Sequence, residues 1–223
     1  MSKLRHLVTG WNRGGLGYVY KLLLNSGIDV GTTFGADTDE KNFKDRIKKS
    51  SNIEVSPYVV PFLDRDVLGD VQVTFLVRDP LRVLNSLYFL GSFHNERSST
   101  VQRYAFRYLP RLAEHFRGKP SQAGVAYIYS WLDRANQLDG LKLVRVEDDP
   151  ADLVRYFAGP DAVAAFCSPD VNASRCKQLL LPSMLPEESQ QVMLWLLSEL
   201  GYRESFWSPR GGHAHYINPD WHC

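Results

Sequence analysis

Leu4–Tyr20 reads LRHLVTGWNRGGLGYVY. Leu7 and Val8, closed by Thr9, make a short apolar run with the pattern of a buried strand. The run breaks at Gly10. A loop follows that carries Arg13 between Gly10 and the glycines Gly14, Gly15 and Gly17. From Tyr18 the pattern turns helical, with Val19, Leu22 and Leu23 on one face. Strand, glycine-rich turn and helix is how α/β proteins build an anion site. The glycines let the backbone approach the anion, and the first N–H groups of the helix point at it with the positive end of the helix dipole behind them. The same residues also suit a tight strand-to-helix turn that needs glycine only for its backbone angles. The stretch alone leaves both readings open.

The spacing Gly10-x-x-x-x-Gly15 matches the first half of a Walker A loop. In the second half Leu16 and Gly17 stand where Lys and Ser/Thr belong. The lysine that reaches terminal phosphates and the hydroxyl that binds magnesium are therefore both missing. This argues against an ordinary ATPase or GTPase. The cation of this loop is Arg13.

Val71–Leu90, VQVTFLVRDPLRVLNSLYFL, is the second informative stretch. Val73, Phe75 and Val77 alternate as a strand, and Leu76 makes the run apolar enough for burial on both faces. Arg78 follows at its carboxyl end. Asp79 suits a helix cap, with Pro80 in the first turn. Ser86 lies eight residues after Arg78, roughly two turns into that helix and about 12 Å along the axis from Arg78. Ligands of open α/β sheets bind outside the carboxyl ends of the strands, so both loops are expected at one crevice, with Arg78 and Ser86 sharing an anionic group. The plainer alternative pairs Arg78 with Asp79 or another carboxylate and leaves Ser86 an ordinary helix residue.

The rest of the chain alternates strand and helix patterns, which indicates an α/β class with a mostly parallel sheet flanked by helices. Ile28–Val30 reads as a second strand ending at Gly31. Ala36–Ser51 is polar and charged, a solvated helix or loop. Val55–Leu63 is apolar but carries Pro57 and Pro61, which argues for an edge or a buried loop over a central strand. Thr100–Phe116 is amphipathic and interrupted at Pro110, with Arg103, Arg107 and Arg111 as a solvated stripe. Ser121–Leu138 is a helix with Trp131 on its apolar side. Leu141–Val146 is a further strand. Pro150–Phe157 and Ala162–Phe166 read as short helices. Glu187–Leu200 is a terminal helix with Val192, Trp195 and Leu196 inward. The tail, 203–223, is loop-rich.

The 223 residues suit one domain, 1–223, that buries on the order of 70% of the unfolded chain's surface. A net charge of +1 gives no reason to expect nucleic-acid binding. No apolar run approaches the roughly 18 residues of a membrane span, and the N-terminus has no leader pattern. A cytoplasmic protein without membrane contact is the expectation. Cys167, Cys176 and Cys223 are read as reduced thiols, and no metal site is expected.

Together the two stretches resemble the PAPS-dependent sulfotransferases. That family carries a 5′-phosphosulfate loop after its first strand, often R-S-G-T-G/T-Y/W, and Arg13-Gly14-Gly15-Leu16-Gly17-Tyr18 occupies its place. It carries a 3′-phosphate motif, R-x-P followed by a serine, and Arg78-Asp79-Pro80 with Ser86 matches it. Leu143–Asp148 is similar to a strand ending in R-x-E-D-L, and Leu200-Gly201-Tyr202 to a terminal helix ending in L-G-Y. The resemblance spans most of 4–202. It implies the P-loop nucleotide-kinase-like sulfotransferase fold and transfer of a sulfuryl group from PAPS to a hydroxyl or amine of a small-molecule or glycan acceptor, releasing PAP, with no metal. It assigns Arg13 to the phosphosulfate and Gly14–Tyr18 to the 5′-phosphate. Arg78 and Ser86 go to the 3′-phosphate, with Arg210 of the tail as a further ligand. Gly14 and Leu16 replace the usual serine and threonine, which opens the alternative of a PAPS- or PAP-binding protein without transferase activity; a kinase-like enzyme using ATP is a third reading. Where members of the family carry a His-Glu pair after the second strand, this chain has Thr32-Thr33. The candidate bases are therefore His94 in the polar break Gly91–Ser99 and Asp37 beyond Thr33.

Overall fold

The computed structural model describes residues 4–94, 99–167 and 180–202. The chain divides into two compact units, Met1–Arg78 with Trp131–Val171, and Asp79–Ser130 with Asn172–Cys223.

The first unit holds a five-stranded, all-parallel sheet of order β2-β3-β1-β4-β5, formed by β1 (His6–Gly10), β2 (Val30–Gly31), β3 (Ile53–Val55), β4 (Gln72–Val77) and β5 (Lys142–Arg145). β1 is central because all five of its residues are buried. Parallel strands covered on both faces must be apolar on both, and alternate residues of β1 supply the two cores. Val8 joins Leu22 and Leu23 of α1 (Leu16–Asn25) and Leu153 and Val154 of α8 (Pro150–Ala158). Leu7 joins Phe43 and Ile47 of α2 (Glu40–Lys49), Leu68 of α3 (Arg65–Leu68) and Val73. α2 starts at a reciprocal cap in which Asp39 Oδ1 accepts from Asn42 N and Asn42 Oδ1 accepts from Asp39 N.

Several expectations are corrected. Ile53–Val55 is a strand between β2 and β1. The prolines act one step later: the strand ends at Val55, and Val60–Phe62 is a single 3₁₀ turn. Ala162–Phe166 is irregular, and Phe166 stands 88% exposed. Trp131, by contrast, is the core side chain expected from its place on the apolar side of its helix, and is fully buried.

In the second unit, α4 (Pro80–Phe89) begins on Asp79, whose Oδ1 accepts from the N–H groups of Leu81 and Arg82. α5 (Thr100–Tyr108) and α6 (Pro110–Phe116) meet at the proline break, and α7 (Pro120–Asn136) contributes residues up to Ser130 here and from Trp131 onward to the first unit. Gly124 lets α7 approach Leu84 closely; a Cβ there would stand 2.6 Å from Leu84 Cδ1. α9 (Glu187–Glu199) packs against α4 and ends at Gly201, whose φ of 71° closes the helix as Tyr202 N donates to Leu197 O. The inward face of α9 is Met193, Leu196 and Leu197. Trp195, expected inside, is 48% exposed and meets Tyr129 edge-on.

Candidate functional site

In the first unit, the direction in which the chain builds the sheet reverses between β1 and β4. The chain leaves β1 toward β2 on one side of the sheet, and reaches β5 from β4 on the other. In open α/β sheets ligands bind outside the carboxyl ends of such a strand pair. The loops leaving β1 and β4 carry Arg13 and Arg78.

The β1 loop is tightly constrained. Trp11, fully buried, sits edge-on to Phe75 at 5.2 Å and anchors its first residue. Gly14 N closes a turn onto Trp11 O at 2.9 Å. Arg13 has a φ of 71°, among the described residues the one non-glycine with a left-handed backbone. Gly15, with φ 90°, is the cap of α1, and a Cβ on it would stand 2.5 Å from Val146 Cγ2, just beyond β5. Helix geometry leaves the N–H groups of Gly15, Leu16 and Gly17 without an intrahelical acceptor, while Tyr18 N turns back to Gly15 O. The loop thus combines orphan donors, a backbone without room for side chains and a cation. Burial lowers the Arg13 guanidinium from its ordinary value, although arginine remains charged. Burial first, then the neighbouring Cys167 and Asp149, pushes the Tyr18 phenol up.

Arg78, the residue after β4, reaches this loop: its Nη1 donates to the Arg13 carbonyl at 3.1 Å. The two arginines named by the separate sequence motifs are therefore neighbours. Asp79 is engaged elsewhere, as the cap of α4 and at 3.8 Å from Arg82 Nε. Ser86, in the second unit, is the seventh residue of α4 and buried.

Asp37 lies in the first unit on the loop after β2. It is exposed and paired with Arg46, whose hydrogen bond holds its carboxyl below the usual range. His94 lies in the second unit, exposed, its ring 4.5 Å from that of Tyr88. Arg210, Cys176 and Cys223 fall outside the described residues, and the Cys167 thiol lies 4.0 Å from the Tyr18 carbonyl. Among the described residues no cluster of three His, Cys, Asp or Glu side chains is placed to hold a metal ion, and no helix is long and apolar enough to cross a membrane.

One buried charge escaped the sequence reading. Glu54, in the middle of β3, is fully buried. Its Oε2 accepts from Thr33 N at 2.6 Å; its Oε1 accepts from Thr33 Oγ1 at 2.7 Å and from Ser51 N at 2.8 Å. Gly31 lies beside it in register, and any Cβ there would collide with Glu54 Oε1. The alternation Ile53-Glu54-Val55 was the available signal, since an apolar–acidic–apolar triplet marks a strand with one polar position.

No family model matches the chain, and no curated protein matches it. Among solved structures it is similar to the crystal structure of a sulfotransferase from Alicyclobacillus acidocaldarius, at 14% identity, over 92% of this chain and 96% of that one, with a TM-score of 0.45.

Proposed function

We propose that the protein transfers a sulfuryl group from PAPS to an acceptor hydroxyl or amine and releases PAP. The observation that carries this reading is the hydrogen bond from Arg78 to the Arg13 carbonyl, because it joins the 5′-loop and the 3′-phosphate motif at one sheet edge. Sulfuryl transfer needs positioning and fixed positive charge on the developing anion more than it needs covalent chemistry. In this reading Arg13 stabilises the phosphosulfate and the leaving oxygen. The orphan N–H groups of Gly15, Leu16 and Gly17 take the 5′-phosphate. Arg78 takes the 3′-phosphate by a planar fork that lysine cannot reproduce. Ser86 carries its assignment to that phosphate from the sequence motif alone, and its own substitution tests it. His94 and Asp37 are the bases the sequence offers, and Arg210, outside the described residues, carries its assignment from the sequence resemblance alone.

A second reading, a PAPS- or PAP-binding protein without turnover, is favoured by Gly14 and Leu16, which remove two phosphate-binding hydroxyls. The test is titration with PAP, ADP and ATP, followed by PAP release from PAPS over phenol, alcohol and amine acceptors. Selective PAP binding with turnover supports the transferase. Selective PAP binding without turnover leaves the binder. Preference for ATP overturns both.

A further inference from the structure

Burying a carboxylate costs several kcal/mol, recovered only when its oxygens are well satisfied. Glu54 is satisfied by neutral donors of the loop that leaves β2 and of the residue two before β3. An apolar side chain would pack a parallel strand at lower cost, so the acid inside β3 is an exception that its partners must account for. Thr33 hands its only hydroxyl proton to Glu54, so that hydroxyl faces other groups with lone pairs alone. Thr33 is half-buried and sits beyond the carboxyl end of β2, on the edge of the sheet that carries Arg13 and Arg78. Its loop is held in place: Arg46 Nη1 donates to Thr33 O at 2.7 Å and Ser56 Oγ to Phe34 O at 2.6 Å. The nearby carboxylate of Asp37 is already committed to Arg46.

We infer that Thr33 receives the hydroxyl or amine of the sulfuryl acceptor and that Glu54, behind it, takes the proton. The inference rests on the sulfuryl-transfer reading. As the acceptor oxygen or nitrogen bonds to sulfur, the bond from sulfur to the 5′-phosphate oxygen breaks and its electron pair leaves with PAP. The acceptor's proton passes to Thr33 Oγ1, and the proton already on Thr33 passes to Glu54 Oε1. Thr33 ends as it began, and after product release the proton on Glu54 returns to water by the reverse relay through Thr33 Oγ1. Thr33 is the catalytic residue; Glu54 acts through it.

The test measures PAP release from PAPS by the full chain, with 2-naphthol, glucosamine and an aliphatic alcohol as acceptors, alongside PAP affinity. Thr33→Val keeps the side-chain shape and leaves Glu54 two of its three donors. It is expected to keep PAP affinity within about threefold and to lower kcat by roughly 100-fold or more, the scale of general-base loss. Thr33→Ser restores kcat to within about tenfold of the parent, because the hydroxyl returns. Adding Glu54→Gln to Thr33→Val costs little more, since the two residues act as a unit. Equal kcat in the parent and Thr33→Val overturns the relay while leaving the transferase. A loss in Thr33→Val that Thr33→Ser does not rescue also overturns it, by reducing the threonine to a loop tether. A parent that binds PAP but turns over no acceptor overturns the relay and leaves the binder, and a parent that binds no PAP overturns the sulfuryl-transfer reading itself.

Discussion

The Arg78 guanidinium donates from Nη1 to the Arg13 carbonyl at 3.1 Å, tying the end of β4 to the loop that leaves β1. In the proposed function Arg78 would act on PAP in two ways, by its own charge and by the shape it imposes on the loop.

Arg78→Ala removes both. Charge-assisted hydrogen bonds contribute about 1.5–3 kcal/mol each, so PAP affinity should fall by roughly tenfold to more than a hundredfold. Adenosine 5′-phosphosulfate, which lacks the 3′-phosphate, should lose only the part due to the loop, about tenfold at most. Lysine should rescue poorly, because it loses the fork. Calorimetric titration of both nucleotides measures the difference. Equal losses would mean that Arg78 works through Arg13 alone and that the 3′-phosphate assignment is wrong.

The strand-loop-helix unit was legible because its signals are local: an apolar run stops at Gly10, and glycines mark where side chains cannot fit. The helix starts at Leu16, two residues before the Tyr18 start read from the sequence, because Gly15 caps it in a left-handed conformation and Leu16 already belongs to the buried face. β3 was hidden by its length of three residues and by an acid at its centre. The partners that make Glu54 tolerable come partly from Thr33, 21 residues away, and no local pattern reports such a pairing. Trp195 fits the helical period of α9, yet the buried stripe runs through Met193, Leu196 and Leu197, and the indole is left outside beside Tyr129.

Gly15→Ala should damage the loop twice. A methyl group would stand 2.5 Å from Val146 Cγ2, and the φ of 90° disfavours any Cβ. A destabilisation of about 1–3 kcal/mol is expected, with loss of PAP binding. Val146→Ala in the same chain makes room but leaves the backbone strain, so rescue should be partial. Urea denaturation of the three variants separates the terms, and complete rescue would show that φ does not matter at this glycine.

Asp37→Asn and His94→Gln test the other proton acceptors. With Thr33 and Glu54 carrying the proton, neither variant should approach the roughly 100- to 10,000-fold loss typical of a missing base. Asp37→Asn breaks an exposed ion pair with Arg46, and exposed pairs contribute little, so the midpoint of unfolding should barely move. A large drop in kcat with PAP affinity kept, in either variant, would reassign the base to that residue.

His6 gives the first unit a dependence on pH. Its Nε2 lies 2.8 Å from Thr74 Oγ1, which is 3.1 Å from the Tyr156 hydroxyl, and its ring meets Phe157 edge-on. Burial pushes the imidazole down to about 4. The unfolded chain takes up this proton near pH 6.5 and the folded chain only near pH 4, so the unfolded state binds more protons between those values. Stability is full above pH 6.5, falls as pH drops toward 4, and this contribution then levels off. The loss is on the order of 3 kcal/mol. Urea midpoints at pH 7 and 4.5 should differ less in His6→Gln than in the parent; an equal difference would assign the acid sensitivity to other groups.

Arg13 pairs the cation proposed for the phosphosulfate with an unfavourable backbone. A left-handed conformation costs a non-glycine residue roughly 1–2 kcal/mol, and glycine escapes that cost. Arg13→Gly and Arg13→Ala both lose the guanidinium, and both should lose PAPS turnover. They should differ in stability, because only alanine keeps the steric conflict at φ 71°. The glycine variant should unfold at higher urea than the alanine variant, by about 1 kcal/mol after the greater chain entropy of glycine is counted against it. Comparison of the two substitutions cancels the lost side-chain contacts, which a comparison with the parent would not. If the alanine variant proves as stable as the glycine variant, Arg13 is not held in the left-handed region in solution. The hydrogen bond from Arg78 would then not be fixing the loop in this shape.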